Sequence, residues 1–405
     1  MIVDLHCHYT FSRRPPAPAD RFSFESLGSA PTDGACRPTD FDSCLSPRVL
    51  ARPLWRLARW WLRLPPPGEE LDRVLAVEYE RHFAAAGPVE RYVLLAFDAV
   101  HDDEGRCVPL PNPGDRLGSD IYTSNSLVRD VCRNHPERFL FGASVHPYRA
   151  NAVAAVEEVF AAGACLLKWL PLHHNIDVTD ARTLAVMRRC AALGLPLLVH
   201  YGPEFTLATQ RPALRSIRPL LDVLRTLRRE RCMPTTIVAH IATPVLPWED
   251  RDSHRALVAA LVGEFADAPL YADLAALVTW AKIGYLRRLR RHPELHAKLL
   301  FGTDFPVPPT LGPLAWTLGA AGRRAAKVAA WPQRAAGLCR ALGLSEIVFH
   351  RAAELLPNMD YFTRSGGDMG IQNGGTSEGR ANLPASRGSA VPPRRDRPPR
   401  LPDPE

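Results

Sequence analysis

The sequence contains no apolar run long enough to cross a membrane, because each hydrophobic stretch is shorter than the roughly 18 residues that mark a spanning helix. Its first residues also lack the basic segment followed by an apolar core that characterises a secretory signal. The hydrophobic fraction of 46% is ordinary for a globular protein. We therefore expect a cytoplasmic protein, and membrane contact is not expected.

Disulfide and zinc-knuckle spacings are absent as well. The nine cysteines are an odd number and show no C-x-x-C pair, so they predict free thiols in a reducing compartment. The net charge of +7 is not gathered into long basic blocks. Nucleic-acid binding is therefore not expected.

Short apolar segments alternate with helical ones along most of the chain. Continuous apolar strands between helices indicate a parallel sheet covered on its outside, and eight such units can close into a barrel. The sequence therefore predicts an α/β protein with a (β/α)₈ TIM barrel; an open doubly wound sheet is the alternative. The eight strand segments are IVDLH, RYVLLAFD, RFLFGASVH, ACLLKWL, LPLLVH, TTIVAH, PLYADLA and KLLFGTD. Helices near Pro332–Leu342 and Ser345–Leu356 would close the end of the barrel.

Two segments do not follow this alternation. Residues 363–405 are rich in Gly, Pro and Arg with almost no large apolar side chain, so they predict a disordered tail that cannot offset its ordering entropy. Residues 10–72 are inserted after the first strand. The barrel domain, with this insertion, is predicted to span residues 1–362.

The insertion contains the stretch VLARPLWRLARWWLRL, which predicts a helix with an apolar stripe. Arginines follow the same rhythm on a neighbouring face. We interpret the helix as a cap over the barrel mouth that sets substrate size; contact with a membrane surface and contact between subunits are the alternatives. The stripe consists of Leu50, Leu54, Leu57, Trp61 and Leu64.

His6 and His8 are the first candidate metal ligands. Alternate residues of a strand point to the same side, so both imidazoles can face one ion. Other histidines also fall at the carboxyl ends of predicted strands, where barrel enzymes build their sites. Lys168 and Asp304 end the fourth and eighth strands. The further histidines are His101, His146, His173, His174, His200 and His240.

These motifs, in this order, resemble those of the amidohydrolase superfamily. They consist of V-D-x-H-x-H on the first strand, single histidines ending the fifth and sixth strands, and G-T-D-F-P on the eighth. More narrowly, they are similar to its amidohydrolase-related branch, which includes hydrolases and non-oxidative decarboxylases. The resemblance covers residues 1–9 and 90–360. It implies an enzyme that acts on a small molecule.

The expected site holds a divalent cation. Three imidazole nitrogens and one carboxylate oxygen leave a coordination position for water, whose pKa the ion lowers towards 7. Asp304 would also carry the proton of that water to the leaving group. His240 would either polarise a substrate carbonyl or bind a second ion. The expected ligands are His6, His8, His200 and Asp304.

Lys168 separates two mechanisms. In several superfamily members a lysine of the fourth strand is carbamylated and bridges two metals; an ammonium group here could instead contact a substrate carboxylate. We favour one ion, with Lys168 binding substrate. His146 and Glu204 are further candidates for substrate binding, although His146 could equally brace a loop and Glu204 could be a solvated acid.

The predicted function is hydrolysis of an amide, ester or lactone of a small, acidic organic molecule by metal-activated water. Decarboxylation of an aromatic or unsaturated acid on the same scaffold is the alternative, and a barrel that only binds its partners is a third reading. Zn²⁺ is the favoured ion, but Mn²⁺ and Fe²⁺ accept the same donors. A homodimer is left open.

Overall fold

The structure is a computed structural model that describes residues 1–16, 20–25, 36–202, 207–245, 251–310 and 317–368. Eight parallel strands form one sheet in the order β1-β4-β6-β7-β8-β9-β10-β11. The remaining three strands form a separate antiparallel sheet. The strands are β1 (Val3–His8), β2 (Arg13–Arg14), β3 (Ser43–Leu45), β4 (Arg91–Leu95), β5 (Ile121–Thr123), β6 (Phe139–Ala143), β7 (Ala164–Trp169), β8 (Leu197–His200), β9 (Thr236–Ala239), β10 (Leu270–Asp273) and β11 (Leu299–Leu300).

The large sheet closes on itself. The backbone N–H of Leu5 donates to the carbonyl of Phe301 at 3.2 Å, and that of His8 donates to Phe305 at 2.7 Å. The chain that continues from β11 therefore runs beside β1, and no edge is left open at this seam. This closed parallel sheet confirms the predicted TIM barrel, and each of the eight predicted strands lies in it.

Helices surround the barrel. The helix α14 packs against both β1 and β11 and so covers the seam between these two strands. The helices are α1 (Pro47–Leu50), α2 (Pro53–Trp61), α3 (Glu69–Phe83), α4 (Asn125–Asn134), α5 (Ala152–Ala161), α6 (Pro171–His174), α7 (Ala181–Leu193), α8 (Arg218–Arg229), α9 (Asp252–Val262), α10 (Ile283–Leu289), α11 (Pro293–His296), α12 (Gly319–Ala326), α13 (Trp331–Ala341), α14 (Ile347–Leu355) and α15 (Tyr361–Asp368). Short 3₁₀ turns lie at Ser23–Glu25, Pro38–Asp40, Pro212–Arg215 and His240–Ala242.

Alternate residues of a barrel strand join different parts of the core. On β4, Tyr92 and Leu94 belong to the large apolar cluster that includes the surrounding helices. Val93 and Leu95 belong to a smaller cluster of strand residues that Ala352 of α14 also joins. The two-residue period of a strand thus fills the barrel interior and its outer layer at once.

The inserted segment is tied to the loop after β4. Its strand β3 pairs antiparallel with β5, with Ser43 opposite Thr123. The buried carboxylate of Glu25 accepts hydrogen bonds from the backbone N–H groups of Asn125 and Ser126, the first residues of α4. The insertion is therefore part of the folded core and not an appendage.

The predicted single helix of the insertion is wrong. The structure has two helices, with Leu50 in α1 and a new helix beginning at Pro53, and Leu64 lies beyond the end of α2. Proline lacks an N–H and restricts the residue before it, so a helix cannot continue through this position. The side chain of Leu54 lies outside the described part of the structure.

The structure describes only the first residues of the predicted tail. Residues 363–368, assigned from the sequence to the tail, belong to α15, and residues 369–405 lie outside the described residues. Within the described ranges, no helix has the combination of length and apolar composition that a membrane span needs.

Candidate metal centre and active site

The two ends of the barrel seam bring three candidate metal ligands together. The Nε2 atom of His8 lies 2.9 Å from Oδ1 of Asp304, and Nε2 of His6 lies 3.3 Å from the same oxygen. One ligand atom from each of the three residues fits within 4.8 Å of the others. Residues almost 300 positions apart therefore present two nitrogens and one oxygen to a common point.

Local backbone geometry fixes Asp304 in this place. Its φ of 63° lies in the left-handed region that side chains rarely adopt, and its N–H donates to the carbonyl of His6 at 2.9 Å. The preceding Thr303 donates from its N–H and its hydroxyl to the buried carboxylate of Asp4. A Cβ on Gly302 would come within 3.0 Å of Cβ of His6, so glycine permits this close approach. The G-T-D motif is thus shaped to meet β1.

Asp273 is a buried site residue that the sequence analysis did not identify. Its Oδ2 accepts a hydrogen bond from Nδ1 of His6 at 2.7 Å. Its Oδ1 accepts from the N–H groups of His240 and Ala275 at 2.7 and 3.0 Å. The bond to Nδ1 leaves Nε2 of His6 as the electron-pair donor that points towards Asp304, which is the tautomer that a metal ligand requires.

His240 and His200 form a directed hydrogen-bond chain. Nδ1 of His240 donates to the carbonyl of Ala275 at 2.9 Å, so its Nε2 is an acceptor in the neutral ring. Nδ1 of His200, at 3.1 Å, then donates to that Nε2. The remaining nitrogen of His200, Nε2, is buried and has no hydrogen-bond partner among the described residues. It is therefore an available electron-pair donor.

Three buried histidines of the site, His6, His200 and His240, have lowered pKa values and are neutral near pH 7. Burial is the largest cause that lowers the pKa of His6 and His200, and the charge of Lys168 lowers both further. Burial also lowers the pKa of His240. For Asp304, burial raises the pKa, but the neighbouring His240, His8 and Lys168 outweigh it and hold the value at about 2. The site therefore combines neutral imidazoles with an ionised carboxylate, which suits a divalent cation.

Lys168 lies at the centre of this cluster. It is only 1% exposed, and its Nζ is 3.1 Å from Nε2 of His6. The ammonium group and the carboxylate of Asp304 therefore lie beside the same imidazole nitrogen. The lysine predicted to end the fourth strand thus contacts the candidate ligands directly.

The other predicted substrate-binding residues have different outcomes. His146 is buried with both ring nitrogens in use: Nε2 donates to the carbonyl of His174 at 2.7 Å, and Nδ1 accepts from the N–H of Tyr148 at 3.1 Å. This arrangement corresponds to the loop-bracing alternative, because no ring nitrogen is left for a substrate. Glu204 lies outside the described residues.

A buried ion pair supports the loops around the site. Arg149 donates from two nitrogens to the carboxylate of Asp98, at 2.6 and 2.7 Å. The same carboxylate accepts from the N–H of His146 at 2.6 Å. Asp98 was visible in the sequence only as the last residue of the second strand segment, where an aspartate also fits an ordinary turn.

The range of residues that matches a known protein family contains most of this site. The family model described as Amidohydrolase matches residues 111–331, which is more than half of the chain. The chain belongs to the amidohydrolase family. The match contains Lys168, His200, His240, Asp273 and Asp304, whereas β1 with its two histidines precedes it. Members of this family are enzymes and are typically metal-dependent.

Comparison with curated protein sequences finds no match for this amidohydrolase. Among solved structures, an uncharacterised TIM-barrel protein from Bordetella bronchiseptica is 18% identical with a TM-score of 0.47, over 90% of this chain and 99% of that one. A probable 2-pyrone-4,6-dicarboxylic acid hydrolase from Acinetobacter baumannii is 12% identical with a TM-score of 0.41, over 90% and 99%. A 5-carboxyvanillate decarboxylase from Novosphingobium aromaticivorans with bound manganese is 11% identical with a TM-score of 0.42, over 83% and 94%. Likenesses this distant do not assign a reaction.

Proposed function

We propose that this amidohydrolase is a metal-dependent hydrolase that cleaves an amide, ester or lactone bond of a small, acidic organic molecule. The observation that carries the proposal is the convergence of His6, His8 and Asp304 at the barrel seam. A structural role would not require two imidazole nitrogens and a carboxylate oxygen to face one another in a mostly buried site.

The donor set fits one divalent cation. His6, His8 and Asp304 would hold it. Among the described residues His200, predicted as a ligand, is not part of this group, although its buried Nε2 remains a candidate donor. Zn²⁺ is favoured, while Mn²⁺ and Fe²⁺ accept the same nitrogen and oxygen donors. Such an ion lowers the pKa of a coordinated water towards 7.

The protein's own groups would then handle the proton. The carboxylate of Asp304 would accept the proton of the attacking water and pass it to the leaving group. Asp273 would keep Nδ1 of His6 protonated and its ring in place. The chain from His200 through His240 to Ala275 would hold both rings in fixed orientations during the reaction.

Two buried lysines favour an acidic substrate. Lys168 lies beside His6, and Lys282, which is 6% exposed, places Nζ 3.5 Å from the carbonyl of Thr243, three residues after His240. Two ammonium groups inside one barrel mouth create a positive potential that attracts anions.

The metal assignment can be tested by elemental analysis of purified variants. The wild-type protein should retain roughly one equivalent of a divalent ion, and His6→Ala or Asp304→Asn should weaken cation binding by more than about 100-fold. His292→Ala is the matched control, because the side chain of His292 is 55% exposed and pairs with the exposed Glu294. Full retention of the ion in both site variants would overturn the assignment.

The reaction can be tested on two substrate panels. We expect hydrolysis of carboxylate-bearing lactones or esters, a lower kcat/KM for their neutral analogues, and loss of turnover in Asp304→Asn. The second panel consists of aromatic and unsaturated acids assayed for CO₂ release. Release of CO₂ without any hydrolysis would replace the hydrolase proposal by a decarboxylase on the same metal site.

A further inference from the structure

The helix α2 exposes large apolar side chains. Leu57, Trp60 and Trp61 are 57%, 75% and 59% exposed, and their spacing of three and four residues puts them on one face of the helix. Leu62, the next residue, is 38% exposed. We call these four residues the α2 patch. Several large apolar side chains exposed within six consecutive residues are typical of a binding surface.

Positive charge surrounds the α2 patch. No acidic residue occurs between positions 43 and 68, whereas Arg56 and Arg63 are exposed and Arg59 is partly exposed. A surface groove of about 730 Å³ lies here, lined by Arg59, Trp60, Trp61, Arg63 and Leu64. Guanidinium groups next to indole rings match a ligand that combines phosphate with an apolar body.

The sequence favoured a cap over the barrel mouth and no membrane contact; from the exposure of these side chains we propose instead that the α2 patch binds the surface of an anionic membrane. Tryptophan prefers the level of lipid headgroups, and arginine pairs with lipid phosphates while its stem lies along apolar surface. The helix has nine residues, and no helix of the described ranges could span a bilayer. The attachment is therefore peripheral, with α2 lying in the plane of the interface.

Electrostatic repulsion disfavours two other partners for this surface, a second copy of the protein and the segment after residue 368. A two-fold dimer through the α2 patch would bring the arginines of both copies into one interface, and residues 43–68 offer no acidic side chain to pair with them. The segment after residue 368 contains six arginines and four acidic residues, so its net charge has the same sign as the patch. An anionic lipid surface complements both the arginines and the tryptophans.

Vesicle co-sedimentation of the full chain tests the proposal. Vesicles of phosphatidylcholine mixed with phosphatidylglycerol should bind the protein at low salt, and vesicles of phosphatidylcholine alone should bind it weakly. Trp60→Ser/Trp61→Ser should lower the partition coefficient by about tenfold or more. Arg56→Gln/Arg63→Gln should lower it by roughly fivefold for each charge removed, and added salt should have a similar effect.

Matched controls separate the patch from the general positive charge of the protein. Trp280→Ser removes a tryptophan that is 68% exposed in the segment between β10 and α10, and Arg218→Gln/Arg291→Gln removes two exposed arginines, one at the start of α8 and one just after α10. Both should bind vesicles nearly as the wild type does, and all variants should keep their melting temperature. The proposal is overturned if anionic vesicles do not bind the wild type, if the α2 variants bind equally well, or if Trp60→Ser/Trp61→Ser instead dissociates a dimer.

Discussion

At the scale of single residues, Asp273 is a buried carboxylate that holds a proposed metal ligand, His6, without being one of the proposed ligands itself. Its two oxygens accept three hydrogen bonds, one from His6 and two from backbone N–H groups. An asparagine has a single acceptor oxygen and an NH₂ group that cannot accept. Substitution must therefore break the bond to His6 or leave two buried N–H groups opposite a donor.

Asp273→Asn should weaken cation binding or turnover by about 10- to 100-fold, because the ring of His6 loses its orientation and its fixed tautomer. Metal affinity measured by competition with a chelator, together with kcat/KM, would show the loss. The control is Asp267→Asn, since Asp267 is 78% exposed and pairs with Arg228 at the surface. Equal metal affinities in the two variants would contradict this role for Asp273.

The sequence was informative about those site residues that stand in motifs. The spacing of His6 and His8 and the position of Asp304 at a strand end selected them only together with the order of motifs that resembles the amidohydrolase superfamily. Asp273 lies in the predicted strand PLYADLA, but a single aspartate at a strand end is equally typical of a turn. Its partners are 33 and 267 positions away, and only the closed barrel brings them to it.

At the scale of elements, the ion pair between Asp98 and Arg149 joins the loops that follow β4 and β6. Both side chains are at least 90% buried, and Arg149 also donates to the carbonyl of Phe24 in the insertion. Three separate segments therefore share one buried guanidinium. Loss of either charge would leave the other one without compensation.

Arg149→Met should destabilise the protein by about 3–5 kcal/mol, measured by urea unfolding. In the wild type, burial raises the pKa of Asp98, but Arg149 outweighs it and holds the pKa below its usual value. The pair therefore contributes stability above the unfolded pKa of about 3.9, and this stability is lost as the pH falls through the lower folded value.

In Arg149→Met, the contribution of Asp98 to the free energy of unfolding should depend on pH in the opposite direction. Without Arg149, burial raises the pKa of Asp98, so the contribution is largest in acid and is lost as the pH rises through the folded value. The destabilisation should thus be greater at neutral pH than in mild acid. Arg106→Met, which breaks an exposed pair with Asp102, should change stability little at either pH.

The helix α2 shows what a periodic sequence pattern can predict about an element and what it cannot. The repeat of leucine and tryptophan correctly indicated a helix with an apolar face, but a repeat carries no information about what that face contacts. The break at Pro53 was readable in principle, since proline begins helices more readily than it continues them. The exposure of Trp60 and Trp61 could be known only from the packing of the whole insertion.

At the scale of the whole molecule, the alternation of strands and helices was sufficient to predict the barrel. Eight apolar segments separated by helical ones leave few other architectures. The pairing register was not predictable, because continuous apolar strands have no alternation to fix it. The added antiparallel sheet of β2, β3 and β5 was also missed, since its strands have only two or three residues.

The distribution of cysteines predicts a three-stage thiol titration. Cys36 is exposed, Cys107 and Cys232 are partly exposed, and the other six are buried. Burial raises the pKa of Cys165, Cys190 and Cys339 to about 12, so these thiols remain protonated and unreactive. The buried cysteines are Cys7, Cys44, Cys132, Cys165, Cys190 and Cys339.

A coloured disulfide reagent at mildly alkaline pH should therefore react rapidly with Cys36, more slowly with Cys107 and Cys232, and with the others only after unfolding. Cys36→Ser should remove the rapid phase and leave the later ones unchanged. Reaction of all nine thiols in the native protein would show that the described core opens readily.

The seam between β1 and residues 301–305 has a consequence for how the protein matures. The candidate ligands belong to its two sides, so a ribosome must add nearly 300 residues after His8 before the three ligands can hold a cation together. An ion bound there would then link the two sides and favour the closed ring by mass action, in proportion to its concentration over its dissociation constant. Supply of the ion in the growing cell would thus set the lifetime of the finished protein as well as its turnover.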